Sequence, residues 1–118
     1  MNDLPLVDPQ QMERLQEWGG PQLQRKMIDL FLTHARDRVE EIREGLANAD
    51  ARKAETGAHT LKSSAGNVGA SRVQEMAQEA EALAEAGKLE ELEAVLPALE
   101  EAFDAVCDAL KTFREGVE

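Results

Sequence analysis

What most constrains this chain is the spacing of its apolar residues. Ile28, Phe31, Leu32, Ala35, Val39, Ile42 and Leu46 recur at three- and four-residue steps, the stripe of a helix that buries one face. The same spacing returns in Ala54, Ala58, Leu61, Ala65 and Val68, then in Val73, Met76, Ala77, Ala80, Leu83 and Ala84. It returns again from Leu92 through Val95, Leu96, Leu99, Phe103, Val106 and Leu110 to Phe113. No alternating run rich in Val, Ile or Thr interrupts these stripes, so no strand is expected.

Local signals set the boundaries. Asp8-Pro9 is an N-cap acid before a first-turn proline, and Met12, Leu15 and Trp18 then repeat at helical spacing until Gly19-Gly20 stops them. Pro21 opens the next helix, Asp50 caps a third, Ser71 or a neighbour starts a fourth, and Gly87 closes that one. Pro97 falls inside the last stripe, where the missing N–H predicts a kink or two abutting helices. The connections are short, and short connections make antiparallel neighbours. The expectation is an all-α fold, a single domain over 1–118. It is an antiparallel up-down-up-down four-helix bundle, with helices over about 21–49, 51–66, 70–86 and 89–114, and a short N-terminal helix over about 8–18 packed on it. Leu23, Met27 and Leu30 form a second stripe on the first long helix, and the N-terminal helix is the nearest element to cover it. His34 continues that stripe as a partly covered surface imidazole.

Composition narrows the function. With three Phe, one Trp and no Tyr, the core is aliphatic, and 118 residues can bury it without disulfides or metals. A net charge of −11 repels nucleic acid and anionic lipid, so partners are expected to be neutral or basic in patches. The single cysteine, Cys107, falls on an apolar stripe and reads as core filler in a reduced, cytosolic protein. No signal-like N-terminus or membrane-length apolar run is present, so a soluble protein is expected, and a monomer. Met1 and the compact length favour a free-standing chain.

One residue stands apart from this frame. At roughly 100° per residue, the inward positions of the third helix lie within about 80° of one another, and His59 points about 140° from their centre. It shares its face with Arg52, Glu55, Lys62, Ser63 and Gly66. An exposed imidazole has a free nitrogen lone pair near neutral pH and is a nucleophile when an electrophile is brought to it. Lys62, one turn on, can stabilise a phosphoryl group there, and Ser63 adds a hydroxyl. Gly66 and small neighbours keep the surface low for an approaching protein. The sequence has no phosphate-binding Gly-rich loop and no acidic set for Mg²⁺ beside His59, so it has no means of using a nucleotide itself. Glu55, four residues before His59, makes one ligand-like pair, which falls short of a metal site; neither metal nor cofactor is expected.

The run His59-Thr60-Leu61-Lys62-Ser63-Ser64-Ala65, with Ala58 before it and Gly69-Ala70 after it, resembles the histidine-containing phosphotransfer (HPt) domains of bacterial phosphorelays. That resemblance covers nearly the whole chain and implies a four-helix bundle with an exposed histidine midway along one helix. It implies that His59 carries the phosphoryl group on its outer ring nitrogen and that Lys62 steadies it. It also implies partners, the receiver domains of response regulators or hybrid histidine kinases, which bring the Mg²⁺. The chain would be a phosphocarrier without kinase activity of its own. Ser63 stands where the family often has glycine, and a further polar contact from the next helix has no matching motif, with Gln74 and Gln78 as candidates. The rival reading is an acidic helical adaptor that binds a signalling partner and never accepts phosphate.

Overall fold

A computed structural model describes residues 4–116, as four helices: α1 (Pro9–Ala47), α2 (Ala51–Asn67), α3 (Ser71–Glu85) and α4 (Leu89–Glu115). Among the described residues there is no strand. α1 is two limbs joined at Gly20, whose φ of 73° and ψ of −168° belong to a region that essentially only glycine enters. The first limb is the expected N-terminal helix and the second is the first rod of the bundle. Asp8 caps the first limb by accepting from the Gln10 amide, and Asp50 caps α2 by accepting from the Lys53 amide. α1 stops at Ala47 and not at residue 49, because Ala49 takes a left-handed φ of 53° and turns the chain into Asp50. Ser71 is the first residue of α3, as expected, and Ala70 precedes it without a side-chain cap. Of the two outcomes expected at Pro97, two abutting helices do not occur: α4 is one helix that contains it.

Each helix packs on its sequence neighbours and α4 closes back on α1, which makes the ring of a four-helix bundle. The predicted stripes form its core, with Ile28, Ile42, Leu61, Val73, Leu92, Leu99 and Leu110 fully buried. Two glycines that carry no periodic signal set the tightest approach. A Cβ at Gly57 would lie 2.9 Å from the Arg38 carbonyl oxygen and 2.8 Å from Glu41 Cβ; one at Gly45 would lie 2.6 Å from the Ala54 nitrogen. The α1 and α2 backbones therefore meet without side chains between them. The α1–α4 seam is wider and filled differently. Phe31 and Phe103 pack with ring centroids 5.7 Å apart, and Arg36–Asp104, Arg43–Glu100 and Arg114–Asp29 pairs lace its outer edge.

The first limb of α1 closes the end of the bundle over the α2–α3 corner. The Asp8 amide donates to the Gly69 carbonyl at 2.7 Å, and Gln11 Nε2 donates to the Asn67 carbonyl at 3.0 Å. Gly69 is needed there twice over: its φ is +72°, and a Cβ would meet Asp8 and Gln11. Met12 and Leu15 are buried as expected, and the buried Gln24 is satisfied by donating to the Met12 carbonyl at 2.8 Å. Two stripe-end residues expected inward are not. Trp18 is 68% exposed, because the chain leaves its helical path at Gly20, two residues later. Phe113 is 36% exposed and lines a shallow pocket with Val7, Pro9 and Met12, since only the short limb stands opposite it. The second stripe is covered in part: Leu23 and Met27 pack on the core and Leu30 remains 44% exposed. Cys107 is buried, and burial pushes its thiol pKa up. Among the described residues no helix is long and apolar enough to cross a membrane.

Candidate functional site

α2 is amphipathic in the plainest way. Ala54, Ala58, Leu61 and Ala65 are buried, Gly57 meets α1, and the opposite face is left to solvent. His59 sits midway along that face with its side chain 61% exposed. Its Nδ1 lies 2.8 Å from Glu81 Oε2, and Lys62 Nζ lies 2.7 Å from Glu81 Oε1. One carboxylate of α3 thus bridges the imidazole and the ammonium of α2.

The protonation pattern follows from that bridge. Lys62 hydrogen-bonds the Glu81 carboxyl and, against partial burial and with the help of His59, holds its pKa below the ordinary glutamate value. An ionised carboxylate only accepts, so Nδ1 must donate and carries the ring proton. In the neutral ring the lone pair is then on Nε2, the nitrogen away from α3. The site presents a nucleophilic nitrogen outward, a fixed proton inward and a cation one turn along.

The other residues singled out in the sequence take different places. Ser63 is exposed on the His59 face. Gly66 is half-buried under Gln74, whose Nε2 would stand 2.8 Å from a Cβ there, so the space this glycine leaves is taken up by α3. Glu55 is half-buried, and among the described residues it pairs with neither His59 nor Lys62. Nor does Gln74 or Gln78 hydrogen-bond the imidazole; the polar contact from the next helix is Glu81. The sequence held no signal that separates it from Glu79, which also flanks Ala80; only the register of α3 against α2 does so. Among the described residues, no group of three His, Cys, Asp or Glu side chains could hold a metal ion.

An antiparallel helical bundle that holds one oriented imidazole on an open helix face is the build of a phosphotransfer module. The Hpt domain family matches residues 26–109, most of the chain, and the chain belongs to that family. The crystal structure of histidine-containing phosphotransfer protein B (HptB) from Pseudomonas aeruginosa PAO1 is similar over 97% of this chain and 98% of that one, with a TM-score of 0.89 and 24% identity. No curated protein matches the chain in sequence. The protein is a histidine phosphotransfer protein of phosphorelays, whose family works with receiver domains of response regulators and kinases, and the adaptor reading is not favoured.

Proposed function

We propose that His59 is the phosphoacceptor and that Nε2 is the reacting atom. The observation that carries this is the Nδ1 contact with Glu81, which fixes the ring proton on Nδ1 and leaves the lone pair on Nε2. A receiver's aspartyl phosphate meets the Nε2 lone pair in line. The N–P bond forms as the acyl P–O bond breaks, and the receiver's carboxylate leaves with the electron pair. The imidazole becomes cationic in the same step, and the Glu81 carboxylate, still bonded to Nδ1–H, stabilises that charge where it develops. The reverse sequence delivers the group to the next receiver. The phosphohistidine is a carrier between two aspartates.

Lys62 has two anions to serve. In the resting site its ammonium is on Glu81; with phosphoryl on Nε2 it lies one turn from the new negative charge and moves toward it. The Mg²⁺ of in-line transfer comes with the receiver, which places the receiver's acidic cluster against the His59 face. Ser63 and the neighbouring apolar residues of α1 complete that docking face. A monomeric, cytoplasmic protein suits this traffic.

The test is transfer from a phosphorylated receiver. The wild-type protein should take up acid-labile, base-stable phosphate, and His59→Gln should take up none while keeping its helical circular dichroism spectrum. His34→Gln should transfer like wild type. Uptake that survives the His59 change would remove the proposal.

A further inference from the structure

The contact with Glu81 gives the imidazole a direction as well as a tautomer. With His59 taken as zero and about 100° per residue, Gly66, Glu55 and Lys62 fall about 20°, 40° and 60° to one side of it. That side faces α3, since Gln74 lies over Gly66 and Glu81 holds Lys62. Ser63 and Thr56 fall about 40° and 60° to the other side. Nδ1 is turned to α3, and Nε2 lies at the opposite, outer edge of the ring. The reacting nitrogen therefore opens onto the side where Thr56 and Ser63 stand.

These two residues lie one turn before and one turn after His59, with Cβ atoms about 5–6 Å from its own. Side chains on a helix lean toward its N-terminus, so the imidazole leans over Thr56 and Ser63 leans over the imidazole. Both are exposed, and among the described residues neither hydroxyl has a hydrogen-bond partner. A helical hydroxyl is often committed to the carbonyl four residues back, as Thr112 is to Asp108 at 3.1 Å; the Thr56 and Ser63 donors are not. Nor does an unpaired acid oppose an anion there. Glu55 lies on the α3 side, and Glu41, which sits against Gly57 across the α1 seam, is paired with Arg38.

A phosphoryl group on Nε2 presents three acceptor oxygens, and Lys62 reaches them from the α3 side alone. We propose that the Thr56 and Ser63 hydroxyls donate to the phosphoryl oxygens from the other side, so that Thr56, Ser63 and Lys62 cradle the group between visits of a receiver and its Mg²⁺. The inference rests on His59 being the phosphoacceptor. Ser63 stands where the family often has glycine, and a glycine there would offer no such donor. Thr56 extends the site to the turn before the histidine.

The test loads the full chain with potassium phosphoramidate, in a His34→Gln background that leaves His59 as its one histidine. The N–P bond of phosphoramidate breaks as ammonia leaves, and the new N–P bond forms on Nε2. ³¹P NMR then follows protonation of the phosphoryl dianion as the pH is lowered. Donors to the dianion hold its pKa down, so Thr56→Val and Ser63→Ala should each raise the midpoint by about 0.3 pH unit, roughly twofold in proton affinity, and by about 0.6 together. Thr56→Ser should keep the midpoint of the parent, as should Thr33→Val on α1, and circular dichroism should show every variant folded. Lys62, Glu81 and Glu55 are common to all of them, so their charges cancel in the comparison. A midpoint on phosphorylated His59 that is unmoved or lowered in the double variant overturns the proposal and leaves His59 as the phosphoacceptor. So does a shift in Thr56→Val that Thr56→Ser reproduces. Phosphate still taken up after His59→Gln in the same background removes the phosphoacceptor reading, and this inference with it.

Discussion

The two flanks of α2 are built from opposite materials. Toward α1 there is almost nothing: Gly57 against the Arg38 carbonyl and Ile42 nitrogen, and Ala54 against Gly45, bring backbone to backbone. Toward α3 there are long polar side chains, Glu81 reaching His59 and Lys62, and Gln74 lying over Gly66. The difference separates two jobs. The α1 flank fixes where α2 stands, because a contact without side chains has no rotamers to rearrange. The α3 flank fixes what the imidazole on α2 can do, because a carboxylate sets the tautomer and stands where the proposed transfer would develop positive charge.

The largest effect should come from filling the α1 flank. Gly57→Leu forces a side chain against backbone that cannot swing away. Overpacking of this kind costs about 1–3 kcal/mol or more, against roughly 1 kcal/mol regained by leaving glycine in a helix. Urea unfolding should show a net loss of about 2 kcal/mol, and transfer should fall with it as α2 is displaced. A Gly57→Leu protein as stable as wild type would mean that the flank is looser than the geometry says.

Next comes Glu81→Ala, which should lower the urea midpoint only slightly, by the loss of a half-exposed ion pair, and slow transfer to His59. A hydrogen bond to a charged group contributes about 1.5–3 kcal/mol, so a ten- to hundredfold loss of rate is expected in rapid-quench transfer from a phosphorylated receiver. Lys62→Ala should cost less, about tenfold, and shorten the lifetime of the phosphorylated form. If Glu81→Ala unfolds the protein while transfer per folded molecule is unaltered, the division between the flanks is wrong.

A smaller effect tests the charge on Glu81. Its pKa is lowered in the folded protein, first by the Lys62 hydrogen bond, so its contribution is present above the ordinary glutamate value and is lost as pH falls through the lowered one. Wild type should exceed the isosteric Glu81→Gln in stability at neutral pH, and the gap should close as the pH drops below about 4.5, the unperturbed value. A gap that widens in acid would reverse the sign. The smallest effect belongs to Gln74→Ala, where an exposed side chain resting on Gly66 should change stability by no more than about 0.5 kcal/mol and transfer not at all.

What was legible in the sequence follows the same line. Periodicity is a property of one helix at a time, so it placed Leu61 inward and His59 outward, and the turn chemistry at Asp8, Gly20, Asp50 and Gly87 placed the helix ends within a residue or two. Glu81 was not legible, since nothing within α3 distinguishes it from Glu79 or Glu85 until the register against α2 is known. The close-packing glycines, Gly45 and Gly57, read in sequence only as poor helix formers, because what they admit is the backbone of another element. Trp18 and Phe113 depart from their stripes for a related reason: a stripe continues to the end of its helix whether or not a neighbour extends that far.

The central claim is that phosphoryl is carried on His59 Nε2 while Nδ1 keeps its proton against Glu81. Long-range ¹H–¹⁵N NMR of the phosphorylated protein, with its ³¹P couplings, reads both nitrogens at once. The account predicts a phosphorus-coupled Nε2 and a protonated Nδ1 on His59, with the Nδ1 signal displaced in Glu81→Ala. Phosphorus coupled to Nδ1, or to any residue other than His59, would contradict it.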